Sequence, residues 1–298
     1  MSNSKAVLIS NPKTGRYTST RRIALETVHD YLRSKNLDVE LIPTTRPGDA
    51  TRIARHAAKD GVRNVIVSGG DGTINEALQG LIGTNSRLAI LPRGTANVLA
   101  RELELPLDSM RAAEVISKGK TQRIHVGCAI DETTGVRRHF FLMAGIGLDA
   151  SVVRRVHPKL KKHFGKAAFW LSGLSHLADW QPTPFHVEIN GETLPATFAA
   201  IGKAASYGGE LSVTPRAQLD QPDFEVCVIS SRSRLRYLQL LPYVMRNGVP
   251  TDRREVRYLR TTRVRATGEA PVQVDGELIG KLPMTFEVAP ETIEVIVP

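Results

Sequence analysis

The first 125 residues alternate short apolar runs with segments in which apolar residues recur at helical spacing. The apolar runs predict strands over residues 6–10, 39–42, 64–68 and 87–91. The helical spacing predicts helices over residues 20–34, 49–60, 73–81 and 98–103. Because strands that alternate with helices form parallel sheets covered by helices, this half predicts an α/β domain with a mostly parallel sheet.

The pattern changes after residue 125, where several runs alternate apolar and polar residues as antiparallel strands do. Asn190-Gly191 follows one of these runs and is a strong hairpin signal. Residues 160–180 instead have the length of a helix. The second half therefore predicts a β-rich, sandwich-like domain, and a cleft between the two domains is the default site for a ligand. The runs lie at residues 185–189, 224–228, 256–259, 272–274 and 284–288.

Composition and charge narrow the class of protein. Hydrophobic residues make up 41% and charged residues 23% of the chain, which excludes collagen-like, coiled-coil and disordered classes. The net charge of +10 predicts attraction to a polyanion: a nucleotide, a nucleic acid or an anionic lipid surface. The two cysteines, Cys128 and Cys227, are too few for a disulfide framework or a cysteine zinc site.

Apolar stretches are too short for a membrane-spanning segment. None reaches the ~20 residues that a bilayer requires, and the first residues do not have the pattern of a signal peptide. We therefore expect a cytoplasmic protein that contacts a membrane only peripherally.

Two glycine loops follow neighbouring strands of the first domain. The strand at residues 64–68 runs into SGGDGT, and the strand at 87–91 runs into PRGTAN. Glycines at the carboxyl end of a strand let backbone approach a ligand closely and direct helix N–H groups at phosphate. An alternative is purely structural, since Thr73 and Glu76 have the spacing of a helix capping box. Two successive loops favour a shared phosphate site.

Common nucleotide motifs do not explain these loops. No Gly-Lys-Ser/Thr has the glycine spacing of a P-loop. The sequence GIGLDA at residues 145–150 fits a loose G-x-G-x-x-A pattern, but no suitably placed acid and no βαβ unit follow it. A dinucleotide site at GIGLDA is therefore not expected.

Four sequence blocks, SGGDGTINEAL, LPRGTANVLAREL, GIGLDA and VDGELIGKLP, resemble the diacylglycerol kinase catalytic-domain family of lipid kinases. The motif GGDGT is shared with NAD kinases and, more loosely, phosphofructokinases, whereas the second and fourth blocks separate lipid kinases from both. The resemblance implies an ATP-binding α/β domain over residues 1–125, joined by a returning segment, 287–298. It implies a lipid-substrate domain over residues 126–286.

The resemblance also implies which residues bind nucleotide and carry out the transfer. Asp71, among the glycines, would meet Mg²⁺ or phosphate, because a bare carboxylate beside phosphates needs a bridging cation. Glu277 matches the family's proposed general base, although Asp275-Gly276 alone favours a hairpin turn. Asp149 is a candidate for metal or substrate, or else a helix or turn cap. The family's ATP contacts map onto Asn11, Gly15, Thr44, Gly69, Gly70, Gly72, Thr73, Asn75 and Thr95.

Three positions depart from the family's pattern at places where relatives have acidic residues. Val98 and His125 stand where many relatives have acids, and Gln221 replaces an acid in a loop that holds a structural Mg²⁺ in relatives. We therefore do not expect that structural ion here.

A basic stretch could bring the protein to its lipid. Residues 154–166 hold six Lys or Arg and no acid, and they run into an apolar segment with aromatic residues. This arrangement suits an interfacial docking helix, with Lys161, Lys162 and Trp170 at the membrane, and equally suits a buried core helix with a charged start. The basic stretch at residues 253–265 favours a solvated sheet face.

Three functions remain open at this point. The leading one is an ATP-dependent lipid kinase acting on a diacylglycerol-like or related lipid at an anionic membrane surface. The others are an NAD kinase-like enzyme and a nucleotide-sensing protein that binds an anionic membrane or nucleic acid. Nucleic acid is the less expected partner, because aromatic residues are only 5% of the chain. Assembly into a homodimer stays open.

Overall fold

The structure is a computed structural model that describes residues 4–12, 14, 25–148, 150–151, 180–206, 211–246, 248–249 and 255–298. The chain forms two compact units, of which the first is Met1–Ile124 with Pro290–Pro298 and the second is His125–Ala289. Most of the predicted helix at 160–180 lies outside the described residues, as do five predicted site residues: Gly15, Asp149, Lys161, Lys162 and Trp170.

The first unit is an α/β unit built on a parallel sheet. Its strands occur in the order β2-β1-β3-β4, and the last part of the final strand, β16, extends the sheet in parallel beside β4. This arrangement confirms the predicted α/β fold. Its strands are β1 Ser4–Ser10, β2 Leu37–Pro43, β3 Asn64–Gly69 and β4 Arg87–Pro92, and its helices are α1 Leu25–Ser34, α2 Asp49–Lys59, α3 Asp71–Leu81, α4 Val98–Glu102 and α5 Ser109–Lys118.

Burial explains why the strands of this unit read as apolar runs rather than alternating ones. The strand β3 is buried along its whole length, as expected of a central parallel strand with both faces covered. The helices α2 and α3 approach each other closely at Gly80, where a Cβ would overlap the carbonyl oxygen of Thr51. Only glycine allows this approach, which fixes the position of α3.

The second unit is antiparallel and β-rich, as predicted. One sheet has the order β12-β11-β10-β7-β14-β15, and a second set pairs the first part of β16 with β13, β8 and β9. Apolar side chains of both sets share one core, which includes Phe140, Phe286 and Val226. Its elements are β5 Thr121–Asp131 (which begins in the first unit), β6 Arg137–Phe140, β7 Met143–Gly147, β8 Phe185–Ile189, β9 Glu192–Ala196, β10 Phe198–Gly202, β11 Phe224–Ile229, α6 Arg234–Val244, β12 Val256–Thr261, β13 Arg263–Gly268, β14 Pro271–Val274, β15 Glu277–Lys281 and β16 Met284–Ile296.

Turn chemistry in this unit agrees with the sequence. Asn190 (φ 52°) and Gly191 (φ 82°) form the turn of the β8–β9 hairpin, because both central residues of such a turn need positive φ. Gly147 ends β7 at φ 87°, where a Cβ would overlap the carbonyl oxygen of Thr197. Gly147, the second glycine of GIGLDA, thus has a packing role.

One predicted helix boundary is wrong, and the structural alternative for the first glycine loop, a capping box, does not form. The helix α3 begins at Asp71 with Gly70 as its N-cap, two residues before the predicted start, so Thr73 lies inside the first turn and forms no capping box. The carboxylate of Glu76 accepts a hydrogen bond from the N–H of Gly48 instead, at 3.0 Å. The helices α5 and α6 were not predicted.

Among the helices of the described residues, none combines the length and the apolar character that crossing a bilayer requires.

Candidate active site

The carboxyl ends of the parallel strands are tied to one another by backbone hydrogen bonds. The N–H of Asn11 donates to the carbonyl of Ser68 at 3.1 Å, and the N–H of Thr44 donates to the carbonyl of Ser10 at 2.8 Å. The N–H of Arg93 donates to the carbonyl of Gly69 at 2.9 Å. The loops that leave the four strands therefore begin side by side at one edge of the sheet, where parallel sheets bind ligands.

The two glycine loops pack directly against each other. A Cβ on Gly70 would lie 3.1 Å from the Cα of Gly94, so the contact tolerates no side chain without a shift. Asn97 closes the second loop: its Oδ1 accepts from the N–H of Gly94 at 2.8 Å, and its Nδ2 donates to the Gly94 carbonyl at 3.1 Å. The two loops therefore form one structure, and their binding of phosphate stays a prediction.

Asp71 links the two loops through its side chain. Its Oδ1 accepts a hydrogen bond from the N–H of Leu99, in the first turn of α4, at 3.2 Å. The same residue begins α3, so one carboxylate lies at the N-termini of two helices. Negative charge is favourable at both positions because first-turn N–H groups lack intrahelical acceptors.

The first turn of α3 presents backbone to the outside. Gly72 is exposed, and a Cβ on it would have no atom within 4 Å. Thr73 is buried, and its Oγ1 accepts from the Nδ2 of Asn11 at 3.0 Å, which joins the β1 loop to the helix. An uncovered glycine in a first helical turn allows an anion to approach the N–H groups closely.

Thr44 is held by a network that the sequence did not reveal. Asp49 is buried, and its carboxylate accepts from both the N–H (2.9 Å) and the Oγ1 (2.8 Å) of Thr45. These hydrogen bonds hold the pKa of Asp49 well below its usual range. A charged Asp49 at the start of α2 therefore fixes the loop that contains Thr44.

The two remaining nucleotide candidates differ in exposure. Thr95 is exposed between β4 and α4. Asn75 is buried in α3, and its Oδ1 accepts from the Nε2 of Gln79 at 3.1 Å. Thr95 can therefore reach a ligand directly, whereas Asn75 supports the helix that carries the glycines.

In the second unit, Asp275 anchors the turn that precedes Glu277. Asp275 (φ 47°) and Gly276 (φ 83°) form the β14–β15 hairpin turn that their sequence predicts. The Asp275 carboxylate accepts from three consecutive N–H groups, those of Phe141, Leu142 and Met143, each at 3.0 Å. This side chain holds the turn on the segment that leads into β7.

Glu277 begins β15 and forms an ion pair. Its Oε2 lies 2.6 Å from the Nη2 of Arg138 on β6, and its side chain is 46% exposed. The Nε of Arg138 is buried and has no hydrogen-bond partner among the described residues. The pair fixes the carboxylate while leaving it accessible.

Comparison with known proteins places this geometry in a family. Residues 5–129 match the model of the diacylglycerol kinase catalytic domain, and residues 143–297 match that of the YegS C-terminal NAD kinase beta sandwich-like domain. The second match covers more than half of the chain, so the chain belongs to the family with the YegS C-terminal domain, and its first part is similar to the diacylglycerol kinase catalytic domain. It is a kinase.

Curated relatives named diacylglycerol kinase align over nearly the whole chain. A diacylglycerol kinase of Mycobacterium tuberculosis is 29% identical over 299 residues, covering 99% of this chain and 95% of the relative. A diacylglycerol kinase of Bacillus subtilis is 28% identical over 301 residues, covering 99% and 96%.

Solved structures show the same fold. A crystal structure from Bacillus anthracis, described as that of a diacylglycerol kinase, has a TM-score of 0.75 at 22% identity and covers 99% of this chain and 97% of that one. Another from the same organism has a TM-score of 0.80 at 24% identity, covering 100% and 98%.

Asp71 fits a metal ion that is shared with phosphate. The described residues contain no cluster of three or more His, Cys, Asp or Glu that could hold a metal alone. Mg²⁺ in kinases is commonly held by one or two carboxylates together with substrate phosphates and water. The Asp71 carboxylate is of the type that such a set requires.

The three departures from the family's pattern lie in different surroundings. Val98 is buried in the first turn of α4, directly before Leu99, whose N–H donates a hydrogen bond to Asp71. His125 is half-buried on β5, and its N–H donates to the carbonyl of Leu219 at 2.8 Å. Gln221 lies in the loop between β10 and β11, where its carbonyl accepts a hydrogen bond from a buried lysine.

A buried lysine lies where the family's structural ion was considered. Lys203 has 0% exposure, and its Nζ donates to the carbonyls of Gln218 (3.2 Å), Asp223 (3.1 Å) and Gln221. Burial lowers the pKa of Lys203 to about 8, against the opposite effect of the Asp223 and Asp220 carboxylates. The ammonium thus satisfies the carbonyls that turn inward in this loop.

Proposed function

We propose that the protein is an ATP-dependent lipid kinase that transfers the γ-phosphoryl group to a hydroxyl of a diacylglycerol-like lipid. The observation that carries the proposal is the contact between the two glycine loops, fixed by Gly70 against Gly94 and by Asp71 on the Leu99 N–H. The curated relatives named diacylglycerol kinases support the choice of a lipid as acceptor.

The nucleotide phosphates would bind at the first turn of α3. The exposed Gly72 leaves room there, and the N–H groups of the turn donate to negative oxygens. Nucleotide contacts are assigned to Asn11, Gly15, Thr44, Gly69, Gly70, Gly72, Thr73 and Thr95, with the buried Asn75 supporting the helix that carries the glycines.

Asp71 would hold Mg²⁺ together with the phosphates. The ion, when bound, neutralises the charge that develops on the transferred phosphoryl group. The chain's own part is to keep the Asp71 carboxylate in place through the Leu99 N–H. Asp149 is assigned a secondary part in binding metal or the substrate hydroxyl.

Glu277 would accept the proton of the attacking hydroxyl. An exposed carboxylate on a rigid hairpin suits this task, because a base must reach its substrate in a fixed direction. The Arg138 guanidinium competes for the same oxygen, so the acceptor must displace or share that contact.

The reaction would take place at an anionic membrane surface, with the protein cytoplasmic and peripheral. The basic residues Lys161 and Lys162 with Trp170 are assigned to docking, on their sequence pattern.

The test is a transfer assay with γ-labelled ATP and Mg²⁺. Mixed micelles carry diacylglycerol, phosphatidylglycerol, a sphingoid base or a polyprenol, and a parallel reaction contains NAD. We expect label in a lipid product and none in NAD. Label in NAD alone would establish the NAD kinase-like alternative, and nucleotide binding without any transfer would favour a sensing protein.

A further inference from the structure

The helix α6 is anchored to the second unit by one face. Tyr237 and Leu240 are buried, and the Tyr237 hydroxyl forms a hydrogen bond with the Oγ1 of Thr197 at 2.7 Å. The Tyr237 ring also packs edge-on against Trp180, with 5.0 Å between the ring centres. These contacts fix which face of the helix points outward.

The outward face is apolar. Leu235 is 70% exposed, Leu238 is 41% exposed and Met245 is 51% exposed. With the exposed Pro242 they recur at intervals of three and four residues, which places them on one stripe. Of the eight large exposed hydrophobic residues in the described part of the chain, these three and Tyr243 lie on or directly after α6.

The charge around this stripe has one sign. Residues 226–251 contain four arginines and no Asp or Glu. Arg236 pairs with Glu255, but Arg232 and Arg246 are exposed just before and just after α6. An apolar stripe with arginines at both ends matches an anionic lipid surface, because the leucines enter the acyl boundary while guanidinium groups meet headgroups.

We propose that α6 docks the protein on an anionic lipid membrane through Leu235, Leu238, Pro242 and Met245, with Arg232 and Arg246 on the headgroups. The purpose of this docking rests on the proposed lipid kinase function, whereas the docking itself can be measured without it. A second copy of the chain is a poor occupant, because a twofold contact through this face would bring the arginines of both copies together.

The test is co-sedimentation with vesicles of phosphatidylcholine alone or mixed with phosphatidylglycerol. We expect the full chain to prefer the mixed vesicles. The double variant Leu235→Ser/Leu238→Ser should bind about tenfold less tightly or weaker still. The variant Arg232→Ser/Arg246→Ser should lose about fivefold per arginine, and only on the anionic vesicles.

Matched controls separate docking from general surface effects. Val136 is a 64% exposed apolar residue of the same unit, and Arg123 is 68% exposed. Val136→Ser and Arg123→Ser should bind vesicles as the parent does. Thermal unfolding should confirm that every variant folds. If the leucine variant binds as tightly as the parent, or if the parent is a dimer that this variant dissociates, the proposal is wrong.

Activity distinguishes this proposal from the kinase proposal. With a short-chain, water-soluble diacylglycerol the α6 variants should turn over like the parent, while with vesicle-bound substrate they should slow down. Equal slowing on both substrates would overturn docking as the role of α6. If no lipid is phosphorylated but vesicle binding still depends on α6, the docking surface stands and the kinase proposal fails.

Discussion

Gly94 meets Gly70 backbone to backbone: a methyl group on Gly94 would lie 2.6 Å from the Cα of Gly70 and 2.8 Å from the Oδ1 of Asn97. Neither neighbour is the flexible end of a long side chain, so an added methyl group must push the two loops apart. The phosphate site that we propose depends on their contact.

Gly94→Ala should therefore weaken ATP binding by about tenfold or more and lower the free energy of unfolding by about 1–3 kcal/mol. Isothermal titration with ATP and urea unfolding measure the two effects. An alanine variant that binds ATP like the parent would show that the loop contact does not shape the site.

Gly72 and Gly80 provide a matched pair within α3. Gly72→Ala adds a methyl group in open space, so stability should be unchanged or up to about 1 kcal/mol higher, while ATP binding should weaken by about tenfold. Gly80→Ala should lower stability by about 1–3 kcal/mol, because its Cβ overlaps the Thr51 carbonyl. Titration of both variants with ATP decides whether Gly72 faces phosphate. Equal ATP affinity in parent and Gly72→Ala contradicts it.

Asp71 can be tested without breaking the link to α4. In Asp71→Asn the amide oxygen can still accept the Leu99 N–H, so the fold should persist while turnover falls by about 10²–10³ and half-saturation shifts to higher Mg²⁺. Asp71→Ala should lose stability as well, because it removes the acceptor. Rates measured over a Mg²⁺ series check the assignment, and an Asn variant with the parent's Mg²⁺ dependence would refute it.

Substitutions of Glu277 and of Arg138 distinguish a general base from a structural ion pair. Glu277→Gln should lower kcat by about 10²–10⁴ with ATP affinity retained. Arg138→Gln also breaks the pair but leaves the carboxylate. The measurement is kcat for both variants. If both lose activity equally, the pair rather than the base explains the effect.

Lys203 should make stability depend on pH above neutrality. Its pKa is about 8 in the folded chain and 10.5 as the ordinary value, so between these pH values the unfolded chain holds the proton that the folded chain has released. Stability should therefore rise with pH across this window.

Lys203→Met should lose that rise, and at pH 7 it should be less stable by about 1–3 kcal/mol because carbonyls are left unpaired. Urea unfolding over the pH series measures both effects, with the exposed Lys281→Met as control. A parent and a Lys203→Met variant with the same pH profile would contradict the assignment.

The sequence predicts those elements whose local pattern agrees with their burial. Residues 185–189 alternate apolar and polar and form β8 with alternate residues buried. The strand β3 is an apolar run because both its faces are covered. In α6 the outward face is as apolar as the buried one, and Pro242 lies inside, so the helix lacks the one-sided apolar spacing that would indicate it in the sequence.

The site was predictable where chemistry lies within a short motif and not where it depends on distant partners. The glycine loops can be recognised in short stretches of sequence. The N–H of Leu99, which donates to Asp71, lies 28 positions from Asp71 along the chain. Arg138 and Glu277 are 139 positions apart. The capping box failed for the same reason, since Glu76 interacts with Gly48 on a neighbouring element rather than with its own helix.

The strand β16 has a consequence for how the protein is made. Its last part lies in the first unit, where Val295 pairs with Leu88 and Glu294 contacts the Nε of Arg87 at 2.9 Å. Val295 is fully buried there. During synthesis, residues 1–124 therefore leave the ribosome with an open sheet edge beside β4, which stays open until residues 290–298 emerge. The part of the chain that is translated first is completed last.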